Sequence, residues 1–149
     1  MIAIPARCVL DASAVIPLVL DEGKTREIRG LYRELLRGES QLFAPELLYA
    51  ECANVLWKYV RWRGLSPIRS QRLMDKIREF AIQLSDLRTV SAAALHFGCE
   101  TSMTPYDACY AVVAMQNKAS LITADKRFAS QLKDTSVEVF MLSDLLAGR

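Results

Sequence analysis

Apolar and polar positions alternate along this chain in blocks short enough to be strands and long enough to be helices. Arg7 to Leu10 is a brief apolar run closed by Asp11, and Ala-Ser-Ala then leads into an apolar helical stretch through Leu20. Asp21 to Lys24 predicts a turn. Thr25 to Arg37 predicts a charged helix with Ile28, Leu31, Leu35 and Leu36 at helical spacing, ended by Gly38. Gln41 to Ala44 predicts a second strand stopped by Pro45, and Glu46 to Arg63 a long helix stopped by Gly64. Ser66-Pro67, a cap followed by proline at the first helical position, opens a helix expected to run to about Leu84. Leu87 to Val90 is expected to be the third strand and Ser91 to Phe97 a short helix ending at Gly98.

Thr104-Pro105 begins the next helix, apolar on nearly every face from Ala108 to Met115 and therefore expected to be buried. Ser120 to Thr123 predicts a fourth strand, Asp125 starts a short helix through about Leu132, and Val137 to Met141 predicts a fifth strand before a terminal helical turn. Strands alternating with helices throughout imply an α/β layered domain with a largely parallel sheet. The length of 149 residues, with 52% hydrophobic and 24% charged, fits one domain spanning residues 1–149.

Composition narrows the chemistry. The longest unbroken apolar run, Ala108 to Met115, is far below the roughly 20 residues of a membrane-spanning helix. Cys8 to Leu20 is interrupted by Asp11, Ser13 and Pro17, so a signal peptide is not expected and a cytoplasmic chain is. Cys8, Cys52, Cys99 and Cys109 form no C-x-x-C pair and read as small buried hydrophobes. His96 is the sole histidine, which excludes two-histidine metal sites, and its neighbours Leu95 and Phe97 suggest a structural side chain. Net charge is only +2, yet Lys58, Arg61, Arg63, Arg69, Arg72, Lys76 and Arg78 stand against the single acid Asp75 between Trp57 and Arg78. Such a segment suits either a polyanion or an ordinary solvated helix face. Trp57, Tyr59 and Trp62 suit base stacking, but core or interface packing is the expected use.

Carboxylates remain as the candidate chemistry. Parallel sheets place functional groups outside the carboxyl ends of their strands. Asp11 and Asp125 each follow an apolar strand, and they share a crevice if the first and fourth strands are neighbours; both also precede helices and would serve as N-caps. Asp107 follows Thr104-Pro105-Tyr106 as in a capping box, at the start of the buried helix, where an uncompensated charge is costly and a cation would explain it. Glu51 begins a polar seam with Asn54, Lys58 and Arg61 on one helix face, either a solvent stripe or the lining of a cleft leading out toward phosphates. Four carboxylates converging without histidine or cysteine suit Mg²⁺ or Mn²⁺ and phosphodiester cleavage.

Asp11-Ala-Ser-Ala, Glu51-x-x-Asn54, Tyr106-Asp107-Ala108 and Thr123-Ala-Asp125 followed by Phe128 come in an order and spacing that resemble the PIN domain, most closely the VapC toxins of toxin–antitoxin modules. The resemblance spans nearly the whole chain. It implies a three-layer sandwich with a five-stranded parallel sheet in order 3-2-1-4-5 flanked by helices, Mg²⁺- or Mn²⁺-dependent endoribonuclease activity, a homodimer, and a cognate antitoxin whose tail occupies the groove near the site. It further implies Asp11, Glu51, Asp107 and Asp125 as the metal-binding acids, with Ser13 and Thr123 as hydroxyl partners. Lys126 stands where some relatives carry a further acid. Asn54, Lys58 and Arg61 are expected on the RNA backbone, where the two cations would add salt-dependent affinity. The competing expectation is a catalytically silent PIN fold kept as a protein-interaction scaffold.

Overall fold

The computed structural model describes residues 1–21 and 24–149. Glu22 and Gly23, the middle of the turn expected at Asp21 to Lys24, lie outside the described residues. The chain runs β1 (Arg7–Leu10), α1 (Ala12–Leu20), α2 (Arg26–Leu36), β2 (Gln41–Pro45), α3 (Leu47–Trp62), α4 (Pro67–Glu79), β3 (Ile82–Ser85), α5 (Leu87–Thr101), α6 (Pro105–Asn117), β4 (Ser120–Thr123), α7 (Lys126–Gln131), β5 (Val139–Met141) and α8 (Leu142–Leu146). The five strands form one sheet in order 3-2-1-4-5, all pairs parallel, as the resemblance implies.

Cys8 pairs with Leu42 on one side and Ser120 on the other, which puts the central β1 between strands reached by opposite crossovers. Right-handed crossovers then place α1 to α4 on one face and α5 and α6 on the other. Packing agrees: α1 touches α2, α3 and α4, while α6 packs on α5 and across β1, β2 and β4. Ala108 to Ala114 are all buried, so the apolar run is the core helix its composition predicted. The strand order reverses between β1 and β4, and Leu10 and Ile122 are paired at that point, one residue before Asp11 and Thr123. Among the described residues no helix is long and apolar enough to cross a membrane.

One stretch differs from the expected elements. The third strand is Ile82–Ser85, whereas Leu87 to Val90 opens α5, which absorbs the short helix expected at Ser91 to Phe97. Asp86 decides the boundary, because its side chain accepts the Arg88 N–H at 2.7 Å and caps α5. β3 is half-exposed at the sheet edge, so its apolar signal is thin and merges with the periodicity of α4. Helix α5 also runs past Gly98, ending at Ser102 in the left-handed region with φ 58°. Gly98 is there for proximity: a Cβ at that position would sit 2.7 Å from the Met103 carbonyl oxygen.

Candidate active site

The site is built at the carboxyl ends of β1 and β4. Asp11 occupies the N-cap position of α1 but caps nothing with its side chain. Instead its Oδ2 accepts the hydroxyls of Ser13 at 2.6 Å and Thr123 at 2.8 Å. Ser13 also accepts the Ala124 N–H at 2.9 Å, and Thr123 the Asp125 N–H at 3.0 Å. A hydroxyl has one proton to give. With both protons aimed at Asp11, the two oxygens, 3.0 Å apart, tie the β4–α7 turn to the β1–α1 turn. Thr123 is wholly buried and Asp11 is 8% exposed.

Asp125 is exposed and does what an N-cap does, its Oδ1 accepting the N–H groups of Arg127 at 2.9 Å and Phe128 at 3.1 Å. Phe128 is buried behind it and anchors the turn. Asp107 lies in the first turn of α6, half-buried; Thr104 caps that helix by accepting the Asp107 N–H at 3.3 Å. Glu51 comes from α3 on the other face of the sheet, half-buried, with its Oε1 accepting the Tyr110 hydroxyl at 2.6 Å. That bond joins α3 to α6, helices of opposite layers.

Electrostatics show that the four acids share a field. Burial raises the Asp11 pKa above the usual carboxylate range, the Ser13, Thr123 and Ala12 donors oppose it, and the Asp125 charge adds to the rise. Asp107 is raised by burial, then by Asp11 and Asp125, with Arg127 opposing. Glu51 is raised by burial, relieved by the Tyr110 bond, and raised again by Asp11 and Asp107. Tyr110 is pushed up by burial and by its bond to Glu51, so it stays a hydrogen-bond donor. Among the described residues no three Asp, Glu, His or Cys side chains stand close enough to hold a metal ion as they lie. The acids are neighbours held in place by hydroxyls and amides, rather than a finished coordination shell.

Asn54, Lys58 and Arg61 continue outward from Glu51 along α3, all exposed. Tyr59 packs against the core, but Trp57 and Trp62 do not; they are 51% and 64% exposed and meet edge-to-face at 5.4 Å. His96 is exposed on α5, 3.3 Å from Glu100, with no part in the acid cluster. Cys8, Cys52 and Cys109 are buried as expected, while Cys99 is exposed. Sequence reasoning missed Tyr110, which it counted as one more apolar residue. The available signal was a buried hydroxyl three positions after Asp107, which needs a partner.

Residues 8–131 match the PIN domain family. The chain belongs to the PIN domain family. It is 25% identical over 127 residues to Ribonuclease VapC3 from Pyrobaculum aerophilum, a match covering 84% of this chain and 94% of that protein. The crystal structure of PAE2754 from Pyrobaculum aerophilum superposes with a TM-score of 0.69 at 25% identity, over 95% of this chain and 87% of that one. A toxin–antitoxin complex from Klebsiella pneumoniae contains a similar PIN fold, with a TM-score of 0.58 at 15% identity, covering 91% of this chain and 97% of that one. The matched PIN segment begins at β1 and ends in α7, so it spans the residues that carry all four acids.

Proposed function

We propose that this PIN domain, a single domain over its 149 residues, is a Mg²⁺- or Mn²⁺-dependent endoribonuclease and the toxin of a toxin–antitoxin module. One observation carries the reading: at the point where the strand order reverses, burial and the charge of Asp125 raise the proton affinity of Asp11 and Asp107, and burial with those two acids raises that of Glu51. Crowding like charges beside a core costs stability unless a cation or a reaction uses it. Likeness to Ribonuclease VapC3 supports the RNA substrate, and likeness to a toxin–antitoxin complex supports an antitoxin partner. The same reading makes the chain a cytoplasmic homodimer.

The donor set fits a hard divalent cation, being all oxygen with no histidine or thiolate among it. Asp11, Asp107 and Asp125 would hold the ion directly or through water, with Glu51 orienting the attacking water or helping to hold a second ion. Bound there, a cation supplies an acidified water and neutralises charge on the phosphoryl oxygens. The protein's own contribution is orientation. Ser13 and Thr123 leave Asp11 little freedom to turn, Tyr110 keeps the Glu51 carboxylate from swinging into solvent, and Asp125 is fixed by the two amides it caps. Asn54, Lys58 and Arg61 line the path by which the RNA backbone enters, the two cations adding affinity that salt weakens.

Purified protein incubated with RNA tests the reading. Cleavage is expected with Mg²⁺ or Mn²⁺, abolished by chelation and by Asp125→Asn. Wild-type rates from that variant would defeat the assignment, and no Mn²⁺ binding at millimolar concentration by calorimetry would favour a silent scaffold.

A further inference from the structure

One helical turn from the Glu51–Tyr110 bond, the two helices that make it part around a cavity. On α3, Leu47 precedes Glu51 by four residues; on α6, Tyr106 precedes Tyr110 by four. Residues four apart on a helix share a face, about one 5.4 Å turn apart. Leu47, Leu87, Ala94, Pro105, Tyr106 and Cys109 line the resulting hollow, of about 330 Å³, together with Ser91, which adds a hydroxyl. The volume falls within the range of roughly 300 to 1,000 Å³ typical of small-ligand sites. Its walls are apolar, while the acids beside it are not. Cys109, in its lining, is close enough to Glu51 for that carboxylate to raise its thiol pKa, after burial, which is the larger cause.

Tyr106 is the feature without a structural use. It is 67% exposed, among the most exposed large apolar side chains in the molecule, and it is adjacent in sequence to Asp107. Its neighbour positions explain themselves: Thr104 caps α6, Pro105 starts it, and Asp107 joins the acid cluster. Tyr106 instead lines the cavity while keeping most of its surface open to solvent.

We propose that this cavity seats one unpaired nucleobase flanking the scissile phosphate, with Tyr106 stacked on its face and Ser91 contacting its edge. The proposal rests on the ribonuclease reading and adds the part of the substrate that the acids do not hold. Proteins recognise single-stranded RNA by stacking splayed bases on aromatic rings, and the energy of that stacking is largely indifferent to base identity. A base held one turn from Glu51 would fix the register of its own phosphate over the carboxylates, which a backbone contact alone leaves free to slide. The ligand chemistry is a flat, neutral, largely apolar ring attached to a phosphodiester.

The experiment is a cycle on a short RNA with one mapped cleavage position, cut in Mn²⁺. Tyr106→Ala is expected to lower kcat/KM by roughly 10- to 100-fold, and an abasic ribose at one of the two nucleotides flanking the cut to do the same with wild-type protein. Combined, the two changes should cost no more than either alone. Tyr106→Phe should restore the wild-type rate, Ser91→Trp should block the cavity with a similar loss, and Mn²⁺ affinity by calorimetry should stay unchanged in all three variants. Losses that multiply, or Tyr106→Ala and Ser91→Trp proteins that cut like wild type, would overturn the base site while leaving the nuclease intact. A wild-type protein that cuts no RNA in either metal would instead remove the reading on which the base site depends.

Discussion

The β1–α1 and β4–α7 junctions are written alike, an apolar strand, an aspartate, then a helix, yet the two aspartates are used in opposite ways. Asp125 is exposed and caps its helix through two backbone amides. Asp11 is buried, leaves its helix uncapped, and is held by hydroxyls from Ser13 and Thr123. The difference lies in depth. β1 is the middle strand, so whatever follows it sits beneath neighbouring turns, and a carboxylate there must find donors other than its own helix. Capping and function are therefore compatible at Asp125, whereas Asp11 is spent on the site alone.

The largest effect should show in activity. Asp11→Asn and Asp125→Asn are each expected to cut Mn²⁺-dependent RNA cleavage by roughly 10³-fold or more, the scale of losing a charge aimed at a reaction centre; either variant within tenfold of wild type would break the pairing of the two junctions. Next comes the residue that joins them. Thr123→Val keeps the shape but strips a donor from Asp11 and an acceptor from the Asp125 N–H, at a cost of about 2 kcal/mol. Calorimetry should register a Tm lowered by roughly 5 °C, and an unchanged Tm would mean the hydroxyl is ornamental.

A smaller effect separates capping from chemistry. Asp125→Ala should lose about 1 kcal/mol of stability as the α7 cap disappears, whereas Asp125→Asn keeps an acceptor and should melt near the wild-type temperature while remaining inactive. Equal Tm values for the alanine and asparagine variants would show that the cap contributes nothing. The smallest effect is in pH. Asp11, Asp107 and Glu51 bind protons more tightly folded than unfolded, so their contribution to stability is full below about pH 4 and is lost as pH rises through their higher folded values. Metal-free wild-type protein should therefore lose Tm across that window relative to Asp11→Asn, in which the central charge is absent. Parallel Tm curves for the two proteins would contradict the shared field.

Much of this was legible in the residues because their patterns are local. Leu10-Asp11 and Thr123-Ala-Asp125 each mark a strand end by a change from apolar to acidic, and Thr104-Pro105 marks a helix start through cap chemistry. β3 was misplaced because an edge strand needs little burial, and Ile82-Gln-Leu-Ser carries too few apolar residues to interrupt the helical period before it. Tyr110 escaped for a different reason. Its partner is 59 positions away on a helix of the opposite layer, and no periodicity announces a contact at that distance. Spacing likewise left the seam on α3 undecided, since a cleft wall and a wet face repeat every turn alike; the half-burial of Glu51 against the exposure of Asn54, Lys58 and Arg61 is a property of the folded layers.

Gly98 sets a dimension that none of the acids can set for itself. Because α5 approaches the Met103 carbonyl to within the space of one absent methyl group, the linker into α6 rests directly on helix backbone, with the Pro105 nitrogen 3.8 Å from where that methyl would be. The elevation of Asp107 above the sheet is thus gauged by a residue with no side chain, nine positions earlier in the chain. Adding a single carbon there would lift the fourth carboxylate away from the other three without touching any of them.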